Sequence, residues 1–262
     1  MAAHGSLTVR SAAMAEHKTS DGLRLSVEID GDESSVKTAV LVHGLAGSVD
    51  QAWRGTGVID RLTTAGFRTV AFDVRGHGHS EAPTNDDLYG DARIVEDLTE
   101  IVGDFASPDA ILVGYSMGAA ISLLALEAGL DVRAAVIGAA PPAVLDWSPE
   151  SEAMRNAAVA ALRGTNGSEP DAGTQAWLAY LDATGQSRAA IAAVLAGHRP
   201  VVEHWDRIKV PCVFVAGDSD VMAAPPAQLA ERIPGSRTVT VPGDHFSTPA
   251  TALFTELITT IP

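Results

Sequence analysis

The sequence predicts an α/β protein, with a mostly parallel sheet covered by helices on both faces. Three observations carry that expectation. Short β-rich runs alternate along the chain with longer segments of helical period. The central runs are almost continuously apolar, as strands buried on both faces must be, whereas a half-exposed sheet alternates apolar and polar residues. At 262 residues, 46% of them hydrophobic, the chain can bury one large core without a second independent domain.

Taken in order, residues 1–20 contain no apolar stretch of signal-peptide length and are expected to be a disordered extension, with translation starting at either Met1 or Met14. Leu23 to Ile29 alternates apolar and polar residues like an edge strand. The runs Ala39 to Val42, Thr69 to Phe72, Ile111 to Val113, Ala134 to Ile137 and Cys212 to Val215 read as buried parallel strands, and Arg237 to Val241 closes the set. Between them, apolar residues at mixed three and four spacing predict helices over 57–65, 92–105, 117–128, 226–233 and 249–258, with Pro249 at a first helical position.

One stretch breaks the alternation. From Pro141 to Asp206 no strand is expected, and three helical segments follow one another. Ser148 and Pro149 open the first, whose Glu150 and Glu152 suit the positive end of the helix dipole, and Gly164 closes it. Thr174 and Gly185 bracket the second, Ser187 and Gly197 the third. The reading is a helical lid over 141–206, inserted into a core built from 21–140 and 207–262.

Composition narrows the partners. With 33 acidic against 18 basic residues the formal charge is −15, a field that repels phosphate backbones, so nucleic acid is not expected. No segment approaches the roughly eighteen apolar residues that span a bilayer, so no membrane insertion is expected. The single cysteine, Cys212, lies in an apolar run and packs as a small hydrophobe, which fits a reducing, cytoplasmic setting. No glycine-rich nucleotide fingerprint follows a strand, and no cofactor is expected. His77 and His79, with Asp73 nearby, lack the company of a zinc-binding motif, and no metal is expected.

The sharpest chemical signal is Gly114-Tyr115-Ser116-Met117-Gly118, directly after one apolar run and directly before a helical one. A serine on so tight a strand-to-helix turn crowds the positions two before and two after it, and glycine stands at both. The turn lifts the hydroxyl above the C-terminal edge of the sheet. A serine hydroxyl is a poor nucleophile until a base takes its proton, so a histidine and an orienting carboxylate must follow. His245, in Gly243-Asp244-His245-Phe246-Ser247, lies between the last β run and the terminal helix. Asp220, two residues beyond Asp218 in the loop after Cys212 to Val215, is the preferred acid, with Asp218 second and Asp146 third. The backbone N–H groups of Met117 and Leu45, the latter in His43-Gly44-Leu45-Ala46-Gly47, are the expected oxyanion donors.

His43-Gly44 after one strand, Asp73-Val74-Arg75-Gly76-His77-Gly78-His79-Ser80 after the next, and the GYSMG, GDSD and GDHF segments together resemble the α/β-hydrolase superfamily from about Leu23 onward. The resemblance implies an eight-stranded type of sheet with the lid after the sixth strand. Within that superfamily the chain is most similar to bacterial carboxylesterases, lactonases, perhydrolases and carbon-carbon hydrolases. Haloalkane dehalogenases and most epoxide hydrolases carry aspartate where Ser116 stands.

The expected activity is therefore hydrolysis of a small, largely uncharged ester, lactone or related acyl compound through Ser116, Asp220 and His245. Perhydrolysis, carbon-carbon cleavage by the same triad, or ligand binding with little turnover are the rivals. His43, Tyr115, Trp147, Trp177 and Tyr180 are candidate substrate-binding residues, Trp147, Trp177, Tyr180 and Trp205 lying in the lid region and Trp53 outside it. Packing is the equal alternative for these aromatics. The oligomeric state is left open.

Overall fold

The computed structural model describes residues 13–107, 109–165, 167 and 169–261. Its centre is an eight-stranded sheet of order β1-β2-β4-β3-β5-β6-β7-β8. The strands are β1 (Ala13–Lys18), β2 (Arg24–Asp30), β3 (Thr38–Val42), β4 (Arg68–Phe72), β5 (Ile111–Tyr115), β6 (Ala134–Gly138), β7 (Cys212–Gly217) and β8 (Arg237–Val241). Pairs from β4 to β8 are parallel, while β1 with β2 and β2 with β4 are antiparallel.

Alternate residues of the central strands leave on opposite faces, which is why those strands are apolar throughout. Val40, Val42, Leu112, Ile137 and Phe214 join a core with Ile94, Leu98 and Ile101 of α2 (Asp91–Phe105) and Ile121 and Leu123 of α3 (Met117–Glu127). Ala39, Leu41, Ile111, Val113, Val136 and Val213 join another with Ile59 and Leu62 of α1 (Val58–Thr64) and Phe254 and Ile258 of α8 (Ala252–Thr260). Cys212 is buried in the first core, and burial pushes its thiol up to about 12.

Between β6 and β7 run α4 (Pro149–Arg163), α5 (Ala172–Ala183) and α6 (Arg188–Gly197), with α7 (Pro226–Ala230) following β7. Ser148, Asp171 and Ser187 cap the three inserted helices by accepting the backbone N–H three residues on. Among the described residues no helix is long and apolar enough to cross a membrane.

Three expectations are corrected. Residues 13–18 belong to the sheet as β1, not to a disordered extension, while residues 1–12 lie outside the described residues. The strand escaped notice because His17 is its one buried residue, held by Glu100 at 2.8 Å and Asp104 at 3.1 Å, so no apolar run marks it. The second inserted helix starts at Ala172, since Asp171 rather than Thr174 caps it. Pro249 lies in a short 3-10 turn, and α8 begins only after Thr251, whose hydroxyl accepts the Phe254 N–H.

Candidate active site

The parallel strands all end at one edge of the sheet, and the loops there carry Ser116, Asp220 and His245. Ser116 joins β5 to α3 with φ 56° and ψ −118°, a backbone that L residues rarely adopt and that costs on the order of 1–3 kcal/mol. Surrounding contacts hold it there. Its N–H donates to Gly138 O at 2.9 Å. A Cβ on Gly118 would stand 2.0 Å from Val42 O and one on Gly114 2.3 Å from Gly118 O, so only glycine permits the approach of α3 to β3 and β5.

His245 Nε2 lies 2.9 Å from Ser116 Oγ, and Nδ1 lies 2.9 Å and 3.1 Å from the two carboxylate oxygens of Asp220. A carboxylate only accepts, so Nδ1 carries the proton and Nε2 presents its lone pair to the serine O–H. The Asp220 side chain is 0% exposed and also accepts the Met222 and Ala223 N–H groups at 2.9 and 3.1 Å. Asp244 accepts the N–H groups of Phe246 and Ser247 at 3.0 and 2.8 Å, folding the turn that presents His245. Of the competing acids, exposed Asp218 accepts Gly243 N–H at 3.1 Å, a contact that holds its carboxyl below the usual range, and so ties its own loop to the His245 loop. Asp146 is exposed in the segment after β6.

The loop after β3 passes so close that a Cβ on Gly44 would stand 3.0 Å from Ser116 Cβ and 3.5 Å from Oγ. Leu45 follows on that loop, and Met117 opens α3 beside the serine. Among the described residues no backbone-to-backbone hydrogen bond uses either amide as donor outside the helices and strands.

Two of the expected substrate-binding residues prove to be supports. His43 is completely buried, with Nδ1–H donating to Gly44 O at 2.8 Å and Nε2 accepting Val74 N–H at 3.0 Å, and burial pushes its pKa down. Tyr115 donates its hydroxyl to His245 O at 2.9 Å and sets its ring edge-on to Phe254, so it steadies the loop of His245. Tyr115 adjoins Ser116 in sequence and His43 lies two residues before Leu45, and sequence does not show which way a side chain faces.

The aromatics of the insertion are scattered. Trp147 donates to Glu152 at 2.8 Å beneath the Arg155 guanidinium. Trp177 lines an open groove with Met154, Ala157 and Pro170, whose lining includes none of Ser116, Asp220 and His245, and packs against the buried cluster that holds Ala46. Tyr180 donates to Gln51 Oε1 at 3.2 Å. Trp53 stacks on Phe254 in the core, and Trp205 is buried in the other core.

Asp73 accepts Val49 N–H and His79 N–H, both at 2.7 Å, binding two loops of the edge together. Arg75 is fully buried, paired with Asp97 and Asp21 and donating to Leu88 O at 2.7 Å, so its charge is saturated. Sequence reading missed three exposed apolar side chains within two residues of the acid or base: Val221, Met222 and Phe246, whose ring lies 5.6 Å from the imidazole. Single residues in loops carry no periodic signal, and only the aromatic directly after the base could have drawn notice.

Residues 38–184, more than half of the chain, match the family model described as the alpha/beta hydrolase fold. The chain belongs to this family. Among curated proteins it is 36% identical over 99 residues to a putative 2-succinyl-6-hydroxy-2,4-cyclohexadiene-1-carboxylate synthase of Bacillus subtilis, covering 38% of this chain and 34% of that protein. The match thus spans about a third of that relative's length. It is also 28% identical over 209 residues to the 2-(acetamidomethylene)succinate hydrolase of Mesorhizobium japonicum, covering 69% of this chain and 72% of that one. Among solved structures, the enol-lactonase of Burkholderia xenovorans superposes with a TM-score of 0.73 at 22% identity, over 93% of this chain and 98% of its own, a likeness of fold.

Proposed function

We propose that this α/β hydrolase is a serine esterase, which cleaves a small, largely uncharged carboxylic ester, lactone or related acyl compound through an acyl-enzyme. The observation that carries the reading is the unbroken chain from Asp220 through His245 to Ser116, with 2.9 Å at each link. His245 Nε2 takes the serine proton as Oγ adds to the carbonyl carbon, and the carbonyl oxygen becomes an oxyanion facing the Leu45 and Met117 amides. The N-terminus of α3 favours that negative charge. Collapse expels the alkoxide, which receives the proton from His245. Water then adds to the acyl-enzyme with the same base, releasing the acid and restoring Ser116.

Two features favour an uncharged substrate. None of the described contacts of Ser116, His245 or Asp220 is a lysine or arginine, and Arg75 is already neutralised by its own carboxylates. Exposed Phe246, Val221 and Met222 offer apolar surface beside the base that protonates the leaving group. The helices α4 to α6 then serve as a lid over the acyl side. The name of the enol-lactonase is in keeping with this acyl chemistry.

The test is hydrolysis of a short-to-long p-nitrophenyl ester series by wild type and Ser116→Ala, with a fluorophosphonate label located by mass spectrometry. Turnover by wild type alone with the label on Ser116 supports the reading. An unlabelled Ser116 with unchanged turnover in the variant overturns the serine mechanism, and an absence of turnover in wild type leaves a ligand-binding role for the scaffold.

A further inference from the structure

The loop that carries Leu45 is held from above as well as from the sheet. Ala46 is buried among Leu162 of α4, Leu178 and Leu181 of α5 and Ile191 and Ala192 of α6, and Leu45 packs against the same cluster. Ala46 adopts φ +60°, a left-handed backbone that a residue with a Cβ keeps only where its surroundings impose it. The next residue closes a tight turn, Gly47 N–H donating to Gly44 O at 3.1 Å.

One side chain fixes this turn to the insertion. Gln186, buried in the connection between α5 and α6, donates from Nε2 to Gly47 O at 3.1 Å and accepts Gly78 N–H on Oε1 at 3.3 Å. A primary amide has one donor end and one acceptor end, and here each meets the backbone group it needs. Its own backbone is anchored by an N–H donated to Leu181 O at 2.9 Å. The amide therefore spans the loop of Leu45 and the loop of Arg75 from a helix connection that is distant from both in sequence.

We propose that Gln186 is a positioning residue for the oxyanion site, so that the insertion takes part in transition-state stabilisation and does not only cover the substrate. This rests on the esterase reading, in which the Leu45 N–H is an oxyanion donor. An oxyanion donor is effective only at about 2.7–3.1 Å from the developing charge, and a displacement of about 1 Å costs on the order of 100-fold. Without its bond to Gln186, Gly47 O has lost a buried partner, and the turn that aims Leu45 N–H is free to shift.

The experiment compares wild type, Gln186→Met, Gln186→Glu and Arg188→Ala with p-nitrophenyl esters and a trifluoromethyl ketone. Addition of the Ser116 O–H across that ketone carbonyl leaves the oxygen as an oxyanion and the proton on His245, so its affinity reports the oxyanion donors. Gln186→Met is expected to lower kcat about 10- to 100-fold with KM within about threefold, and to weaken the ketone by the same factor as kcat/KM. Gln186→Glu keeps the acceptor for Gly78 but loses the donor for Gly47. It should lose as much above neutral pH, and its activity relative to wild type should rise as pH falls and the carboxyl regains a proton. Arg188→Ala, which removes an ion pair with Asp182 and a contact to Leu178 O within the insertion, should stay within about twofold.

A Gln186→Met enzyme with wild-type kcat and ketone affinity overturns the proposal, as does an effect confined to KM or an equal loss in Arg188→Ala. Should Gln186→Met not fold, the pH-dependent ratio of Gln186→Glu to wild type decides, a flat ratio counting against the proposal. Wild type that neither turns over esters nor labels at Ser116 would instead remove the esterase reading underneath.

Discussion

The sheet edge and the helical insertion meet around Ser116, but they are held in different ways. At the edge, geometry is imposed by backbone: Gly114 and Gly118 leave no room for a Cβ, Asp73 binds the Val49 N–H of another loop, and Asp220 and Asp244 bind backbone N–H groups of their own turns. The insertion is held by capped helices and apolar contacts, and unevenly. In α6 five consecutive residues, Ala190 to Val194, are buried, whereas α4 and α5 each bury two. The comparison separates a deeply buried part, α6 with Gln186, from the more exposed helices α4 and α5.

The sharpest way to break this picture is at the edge. Ser116→Ala should lower kcat by on the order of 10^4-fold or more in steady-state ester hydrolysis while its melting temperature stays near that of wild type. Asp220→Asn should cost about 10^4-fold, because an amide in that place no longer enforces the Nδ1–H tautomer. Asp218→Asn should leave kcat within about tenfold, since the imidazole contact belongs to Asp220. Equal losses in the two variants would erase the distinction between reactive and stapling carboxylates.

Within the insertion, Ile191→Ala on α6 should destabilise by about 2–5 kcal/mol in denaturant unfolding. Back at the edge, burial pushes His77 down to about 3 and lowers His43 as well, from an ordinary value of 6.5. For His77 the contribution of neutral burial is therefore fully present above about pH 6.5 and is lost as pH falls toward about 3, at roughly 1 kcal/mol per pH unit. His77→Phe should reduce the slope of stability against pH between 4 and 6 by about that amount. The smallest effect is expected for Met154→Ala on the exposed face of α4, within about 0.5 kcal/mol. A loss as large as that of Ile191→Ala would show α4 to be as firmly packed as α6.

Much of this was legible before the structure. Among the described residues, the alternation of apolar runs and helical segments marked seven of the eight strands and all of α1 to α8, because burial on two faces forces a run of apolar residues in the central strands that no loop needs, while the π-helix Asp50–Arg54 and the short 3-10 turns went unmarked. Strand β1 was illegible for the opposite reason, being an edge strand whose one buried residue is a histidine. The order of Ser116, Asp220 and His245 and the glycines beside the serine pointed to three side chains that the structure joins by hydrogen bonds. The aromatics did not locate a pocket, because an aromatic at the surface, in the core or against an arginine has the same sequence signature, as Tyr180, Trp53 and Trp147 demonstrate.

By itself the sequence determined where the backbone must do something unusual and which elements surround those places: glycine where a Cβ has no room, Ser148 and Ser187 where two of the inserted helices start, apolar runs where strands are buried. Those are local demands, written in neighbouring residues. Only the tertiary structure decided that Tyr115 supports His245, that His43 lies under the loop of Leu45, and that Gln186 reaches Gly47 across 139 positions of chain. Such contacts depend on the distance between segments far apart in sequence, and a hydrogen bond between them leaves no pattern in either one.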